Sequence, residues 1–240
     1  MLHKTKGIIF HTINYSETSL IVKILTPDFG VRSYMVKGVR GKKSKYKATI
    51  FQPMTLVELV ISNTDKAELQ RISEINISFP YSDIPYNVIK SSITLFLNEI
   101  VCKAIQEQNS NEDMFEFISN SLQILDLKKD NCSNFHIFFM LQLSRYLGFF
   151  PQGNYSSSAV FDLMEGRFVS LVPNHPHYLN ANQSWLLSEL MNVEYSATHQ
   201  LPIDKTARKQ LLQALIKFYQ LHIPSFGEIK SHEILEQVNA

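Results

Sequence analysis

The sequence predicts an α+β protein: a small closed β-barrel over residues 1–79, then an all-α helical domain over residues 80–240 with a β-hairpin inserted at about 153–173. Three observations carry this. The first 75 residues hold five short β-branched or alternating segments separated by turn chemistry. The apolar spacing becomes helical after Pro80-Tyr81-Ser82-Asp83. The helical spacing then lapses between Gly153 and Pro173. With 240 residues and 45% hydrophobic content, the chain can bury one large core or two small ones.

The strands follow in order. Gly7 to Ile13 is short and β-branched, and Leu20 to Thr26 is next. Pro27-Asp28-Phe29-Gly30 is a turn sequence. Val31 to Val36 alternates, with Val31, Ser33 and Met35 on one face and Arg32, Tyr34 and Val36 on the other. A glycine-punctuated basic loop separates this strand from the apolar run Met54 to Ile61. Asn63-Thr64-Asp65 then turns the chain into Ala67 to Ile75.

In the helical part, Ile89, Ile93, Phe96, Leu97 and Ile100 share one face. Asn111 to Leu127 repeats the pattern, with Asn111 or Ser110 as cap and Glu112 and Asp113 suited to the first turn. Phe135 to Leu147 is apolar nearly all round, which predicts a central helix of a bundle. Gly148 suits its C-terminal stop and Pro151 prevents continuation. Ala159 to Met164, Glu165-Gly166 and Arg167 to Val172 read as the hairpin. Ala181 to Met191 and the amphipathic Asp204 to Leu221 return to helix, and Ile229 to Val238 reads as a last short one.

The net charge of +1 hides an asymmetry. Met1 to Ile75 carries 12 Lys+Arg against 6 Asp+Glu, while the remainder carries 11 against 16. A basic module joined to an acidic one points to a polyanionic partner for the first. Two cysteines are too few for a disulfide framework. There is no apolar leader segment and no run long enough to span a membrane, so a cytoplasmic protein is expected. Phosphate-loop, dinucleotide-fold and nucleophile-elbow motifs are missing, and His175-Pro176-His177 lacks conventional metal-ligand partners. No catalytic residue, metal or cofactor is expected.

The strongest local feature is the segment Lys37 to Lys47. Lys37, Arg40, Lys42, Lys43, Lys45 and Lys47 occupy it, between Gly38, Gly41 and a stretch without acidic residues from Val31 to Val57. Long cations on a glycine-flanked loop can follow a phosphate backbone and release its counterions. The bland alternative is a solvated surface loop. Small barrels bind oligonucleotides on a strand face and its bordering loops, and Tyr34 and Tyr46 flank this one. Lys23, Arg32 and Tyr34 on the barrel are added to the candidate nucleic-acid surface.

Several segments together resemble the RecO DNA repair family. They are Gly7-Ile8-Ile9 with Tyr15-Ser16-Glu17-Thr18-Ser19-Leu20-Ile21, Leu25 to Gly30, Lys37-Gly38-Val39-Arg40, Phe51 to Leu59, Leu147-Gly148-Phe149-Phe150-Pro151, and Leu221 to Pro224 through Ser231 to Leu235. The resemblance implies that the barrel is an OB-fold. It also implies a recombination mediator that binds and anneals single- and double-stranded DNA and, with a RecR-like protein and the single-strand-binding protein, assists RecA indirectly. Many members of the family carry a four-cysteine zinc site after the segment matching Leu147 to Pro151. Here Gln152 to Val172 has no cysteine, so a metal-free hairpin is expected. Arg145, Lys205, Arg208 and Lys209 are candidates for holding the acidic C-terminal tail of a single-strand-binding protein. The sequence leaves two rival readings. One is a protein-interaction adapter without DNA affinity. The other is a nucleic-acid enzyme whose acidic residues converge only in three dimensions.

Overall fold

A computed structural model describes residues 2–39, 46–62, 69–105, 109–129, 131–193, 201 and 203–238. The chain forms two compact units. The first takes Met1–Asn87 and Ile105–Leu127, and the second takes Val88–Ala104 and Lys128–Ala240.

Alternation builds the first unit. Strands β1 (Leu2–Asn14), β2 (Leu20–Thr26), β3 (Gly30–Val36), β4 (Leu56–Ser62) and β5 (Leu69–Ile77) close into a barrel in the order β1-β2-β3-β5-β4. All pairings are antiparallel except β3 with β5, which run parallel and close the barrel. This is the five-stranded OB-like barrel. Its interior holds Ile9, Val22, Ile24, Tyr34, Val36 and Leu59 among others. On the outside, the register partners Ile8, Leu25 and Leu56 are also buried. Helix α2 (Glu112–Leu127) packs on β2 and belongs to this unit. Asn111 caps α2 by accepting from the Met114 N–H at 2.9 Å.

Two details of β1 are dictated by close packing. Phe10 is the extra residue where the pairing with β2 slips between Ile9 and His11. Gly7 faces inward, and a Cβ there would lie 2.7 Å from Ile24 Cγ2 and 2.8 Å from Leu59 Cδ1. Gly7→Ala is therefore expected to destabilise the barrel by about 1–2 kcal/mol through overpacking. Urea unfolding of the two proteins measures the difference, and an unchanged midpoint would show that the interior has slack.

The second unit contains α1 (Val88–Ala104), α3 (Phe135–Tyr146), α4 (Ala181–Asn192), α5 (Lys205–His222) and α6 (Ser231–Val238). Helix α3 is buried nearly all round and touches α1, α4 and α5, as its apolar sequence predicts. It ends at Gly148, φ 85°, where the Phe149 N–H reaches Ser144 O and the Gly148 N–H reaches Arg145 O. On α1, Ile93, Phe96, Leu97 and Ile100 are buried, while Ile89 at the first turn is 41% exposed. Glu99 of α1 accepts from the Ser231 N–H and Oγ and from the Lys230 N–H, which caps α6. The insertion is larger than the expected hairpin. β6 (Val160–Asp162) pairs with β7 (Arg167–Val169) and also with β8 (Tyr178–Leu179). Two residues give β8 too short a pattern to be seen in sequence.

Candidate nucleic-acid interface

Of the six cations in the basic segment, Arg40, Lys42, Lys43 and Lys45 lie outside the described residues. Lys37 and Lys47 bracket it, and both are exposed. Lys37 follows the last residue of β3. Lys47 precedes a single 3-10 turn, Ala48–Phe51, whose Phe51 closes onto the barrel interior. The flanking residues thereby fix where the segment leaves and rejoins the barrel.

Beside it lies a concavity of ≈ 210 Å³ lined by Met35, Lys37, Tyr46, Arg71, Ile72 and Ser73, with Val36. Arg71 was not legible as a site residue. It is brought here by the parallel pairing of β3 with β5, which sets Arg71 opposite Met35. Ser73 is the extra residue where β5 slips against β4, and its carbonyl accepts the Tyr46 hydroxyl at 3.3 Å. A bulge of this kind re-aims side chains and is common beside functional sites. Two exposed cations and an aromatic ring thus share one hollow on the barrel surface.

The other barrel candidates sit elsewhere. Tyr34 requires a correction. It is fully buried in the barrel interior, and burial pushes its hydroxyl up to about 12. A ring without exposed surface offers nothing to a base, and the alternation of β3 explains why, since Tyr34 and Val36 share the inward face. Arg32 is half-buried near the start of β3. Its guanidinium lies 5.5 Å from the Phe29 ring centroid, and its Nε–H donates to Phe29 O at 3.2 Å. Five residues of strand, about 16 Å, separate it from Lys37. Lys23 is half-buried on β2, paired with Ser33. Among the remaining barrel cations, Lys4 and Lys6 form ion pairs with Glu58 and Glu116.

In the helical unit the four partner candidates separate by environment. The exposed Arg145 has its guanidinium 3.9 Å from the Phe150 ring centroid. Lys205 and Lys209 are exposed on α5. Arg208, a candidate for holding the acidic tail, is half-buried, and it donates to Asn134 Oδ1 at 2.9 Å and to Ile203 O at 3.1 Å. It braces the start of α5 against the entry to α3.

The polar side chains of the hairpin region are paired within the fold. Asp162 spends one carboxylate oxygen on the Met164 and Glu165 N–H groups and sets the other 3.3 Å from His175 Nε2. The His222 ring stacks on Phe149, centroids 5.2 Å apart, and sits edge-on to Phe218, while its Nε2 meets Leu163 O. These donors are committed to protein partners. Among the described residues no three His, Cys, Asp or Glu side chains converge as a metal site. Among the same residues no helix is long and apolar enough to cross a membrane.

Comparison with known proteins gives a consistent picture. The model of the family described as "Recombination protein O N terminal" matches residues 1–81, and that described as "Recombination protein O C terminal" matches residues 85–232. Three similar curated proteins are each named "DNA repair protein RecO". That of Azobacteroides pseudotrichonymphae is 36% identical, that of Phocaeicola vulgatus 34% and that of Bacteroides fragilis 35%. Each alignment covers 99% of both chains.

Proposed function

The chain belongs to the RecO family of DNA repair proteins, and on that premise we propose that it is a non-catalytic recombination mediator that binds single- and double-stranded DNA and assists annealing. The observation that supports this best is the hollow shared by Lys37, Tyr46 and Arg71 beside the basic segment. Cations there would hold two phosphate backbones close and lower their mutual repulsion, while the pairing energy comes from the DNA. Such binding is largely independent of sequence and strongly dependent on salt. Lys47 and the segment's Arg40, Lys42, Lys43 and Lys45 are proposed to join Lys37. Arg32 and Lys23, set away from the hollow, are proposed as secondary contacts.

Family membership also supports a RecR-like protein and the single-strand-binding protein as partners in loading RecA, in the cytoplasm at the nucleoid. For the acidic tail of the single-strand-binding protein, Arg145 stacked on Phe150 is the candidate anchor, with Lys205 and Lys209 as further cations. Arg208 is occupied within the fold.

The test is a titration of labelled single-stranded DNA at several salt concentrations. Binding should weaken steeply with salt, and replacing Lys42, Lys43 and Lys45 together by alanine should make the log–log slope shallower by about one unit for each lysine that contacts phosphate. A flat salt dependence would overturn this reading in favour of a protein-interaction adapter. Incubation with DNA and divalent metal should leave strand lengths unaltered, and cleavage would refute the non-catalytic assignment.

A further inference from the structure

We propose that the hollow over β3 and β5 is a one-base pocket that accepts an unstacked, unpaired nucleobase, so that this face of the barrel selects single strands over duplex. The inference rests on the DNA-binding reading above and specifies the ligand of the same site.

Size comes first. A volume of ≈ 210 Å³ far exceeds the roughly 10–15 Å³ that one water needs. It falls below the roughly 300–1,000 Å³ of pockets that hold drug-sized ligands. One ring system fits within it. The lining is apolar and aromatic where a base face would rest, on Met35, Ile72 and Tyr46. It is cationic where the backbone would pass, at Lys37 and Arg71. The described lining residues include no carboxylate to repel a phosphate.

Tyr46 is held in place before any base arrives. Its hydroxyl is tied to Ser73 O, and its ring meets Phe51 edge-on at 6.3 Å and 89°. It also packs against the barrel core. A ring that is already ordered loses little entropy on stacking, and every base has a face to stack, so the pocket tolerates any sequence. A base in duplex is paired and stacked on both sides. Entering the pocket would require flipping it out at substantial cost. Duplex is therefore left to the cations alone.

The experiment uses the full chain and compares a short homothymidine strand carrying one 2-aminopurine with a hairpin duplex of equal phosphate number. Wild type should bind the strand more tightly, with quenching of the 2-aminopurine emission on stacking. Tyr46→Ala should weaken strand binding about ten-fold, abolish the extra quenching and so remove the preference for strand over duplex, while Tyr46→Phe keeps both. Arg71→Ala, at an exposed position, should flatten the salt slope by about one unit and keep the quenching; Tyr46→Leu carries the test if Tyr46→Ala fails to fold, with the same loss of quenching and of preference. Quenching and strand preference that survive in Tyr46→Ala or Tyr46→Leu would overturn the pocket. Wild type that binds strand and duplex equally would also overturn it and leave DNA binding standing. Wild type that binds neither would overturn the DNA-binding reading and the pocket with it.

Discussion

Asp126→Ala is expected to lower the stability of the barrel unit by about 2–3 kcal/mol. Asp126 lies near the end of α2 and is 2% exposed. Its carboxylate accepts from the Ser82 N–H and hydroxyl, both at 2.8 Å, from the Asp83 N–H at 2.9 Å and from the Ile84 N–H at 2.8 Å. Those groups belong to the segment that follows β5, and Tyr81 within it donates to Met54 O at 2.6 Å. Alanine would deprive the buried Ile84 N–H of this acceptor, which costs about 1–3 kcal/mol, while the exposed Ser82 and half-buried Asp83 N–H groups can turn to water at smaller cost. Burial raises the Asp126 carboxyl, but the Ile84, Ser82 and Asp83 N–H groups and the Ser82 hydroxyl outweigh it and hold the group below its ordinary range. The sign follows. The contribution is fully present above the unfolded carboxyl's pKa, about 3.9, and is lost as the pH falls through the lower folded value. Asp126→Asn retains one acceptor oxygen and should recover part of the loss. Urea unfolding of the three proteins at neutral pH measures these differences, and a midpoint for Asp126→Ala equal to wild type would refute the bracing role.

The second large effect is acid lability set by His136. This side chain is 1% exposed within the helical unit, edge-on to Phe96 at 5.8 Å between ring centroids. Burial, with a smaller contribution from the Arg208 guanidinium, pushes it down to about 3. In the unfolded chain a histidine titrates near 6.5. Between those values the unfolded state binds a proton that the native state refuses, so stability is full above about pH 6.5 and falls as the medium becomes more acidic. The slope approaches about 1.4 kcal/mol per pH unit, which makes about 2 kcal/mol between pH 7 and pH 5. His136→Leu should flatten the stability curve over that interval, where most carboxylates remain ionised. Denaturant unfolding at stepped pH reads the slope directly. A variant with the wild-type slope would show that the imidazole is protonated in the native fold.

Both effects arise at residues that no sequence pattern marks. Asp126 reads as one polar position near the end of an amphipathic helix, and His136 as the one polar position in the apolar run Phe135 to Leu141. Their roles depend on donors, or on the lack of water, supplied by segments distant in the chain. The same distinction runs through the candidate site. Leu20–Thr26 was legible to the residue because its apolar face, flanked by turn chemistry, is a local property. The Asn111 cap, the Gly148 stop and the all-round apolar α3 were legible for the same reason.

Direction and long-range pairing were not. Alternation put Tyr34 and Arg32 on one face of β3, but closure of the barrel decided that this face turns inward. Tyr34 thereby joins the core, and Arg32, near the strand's start, folds over Phe29. Arg71 meets Lys37 and Tyr46 only because β5 runs parallel to β3, a pairing between segments with no turn joining them. Sequence by itself determined the order of strands and helices, the basic excess of residues 1–75 and the family. The tertiary structure decided which cations share a hollow, that α2 belongs with the barrel and that Arg208 is a brace. Periodicity records which residues avoid water, whereas a site is made by which segments meet once that water is gone.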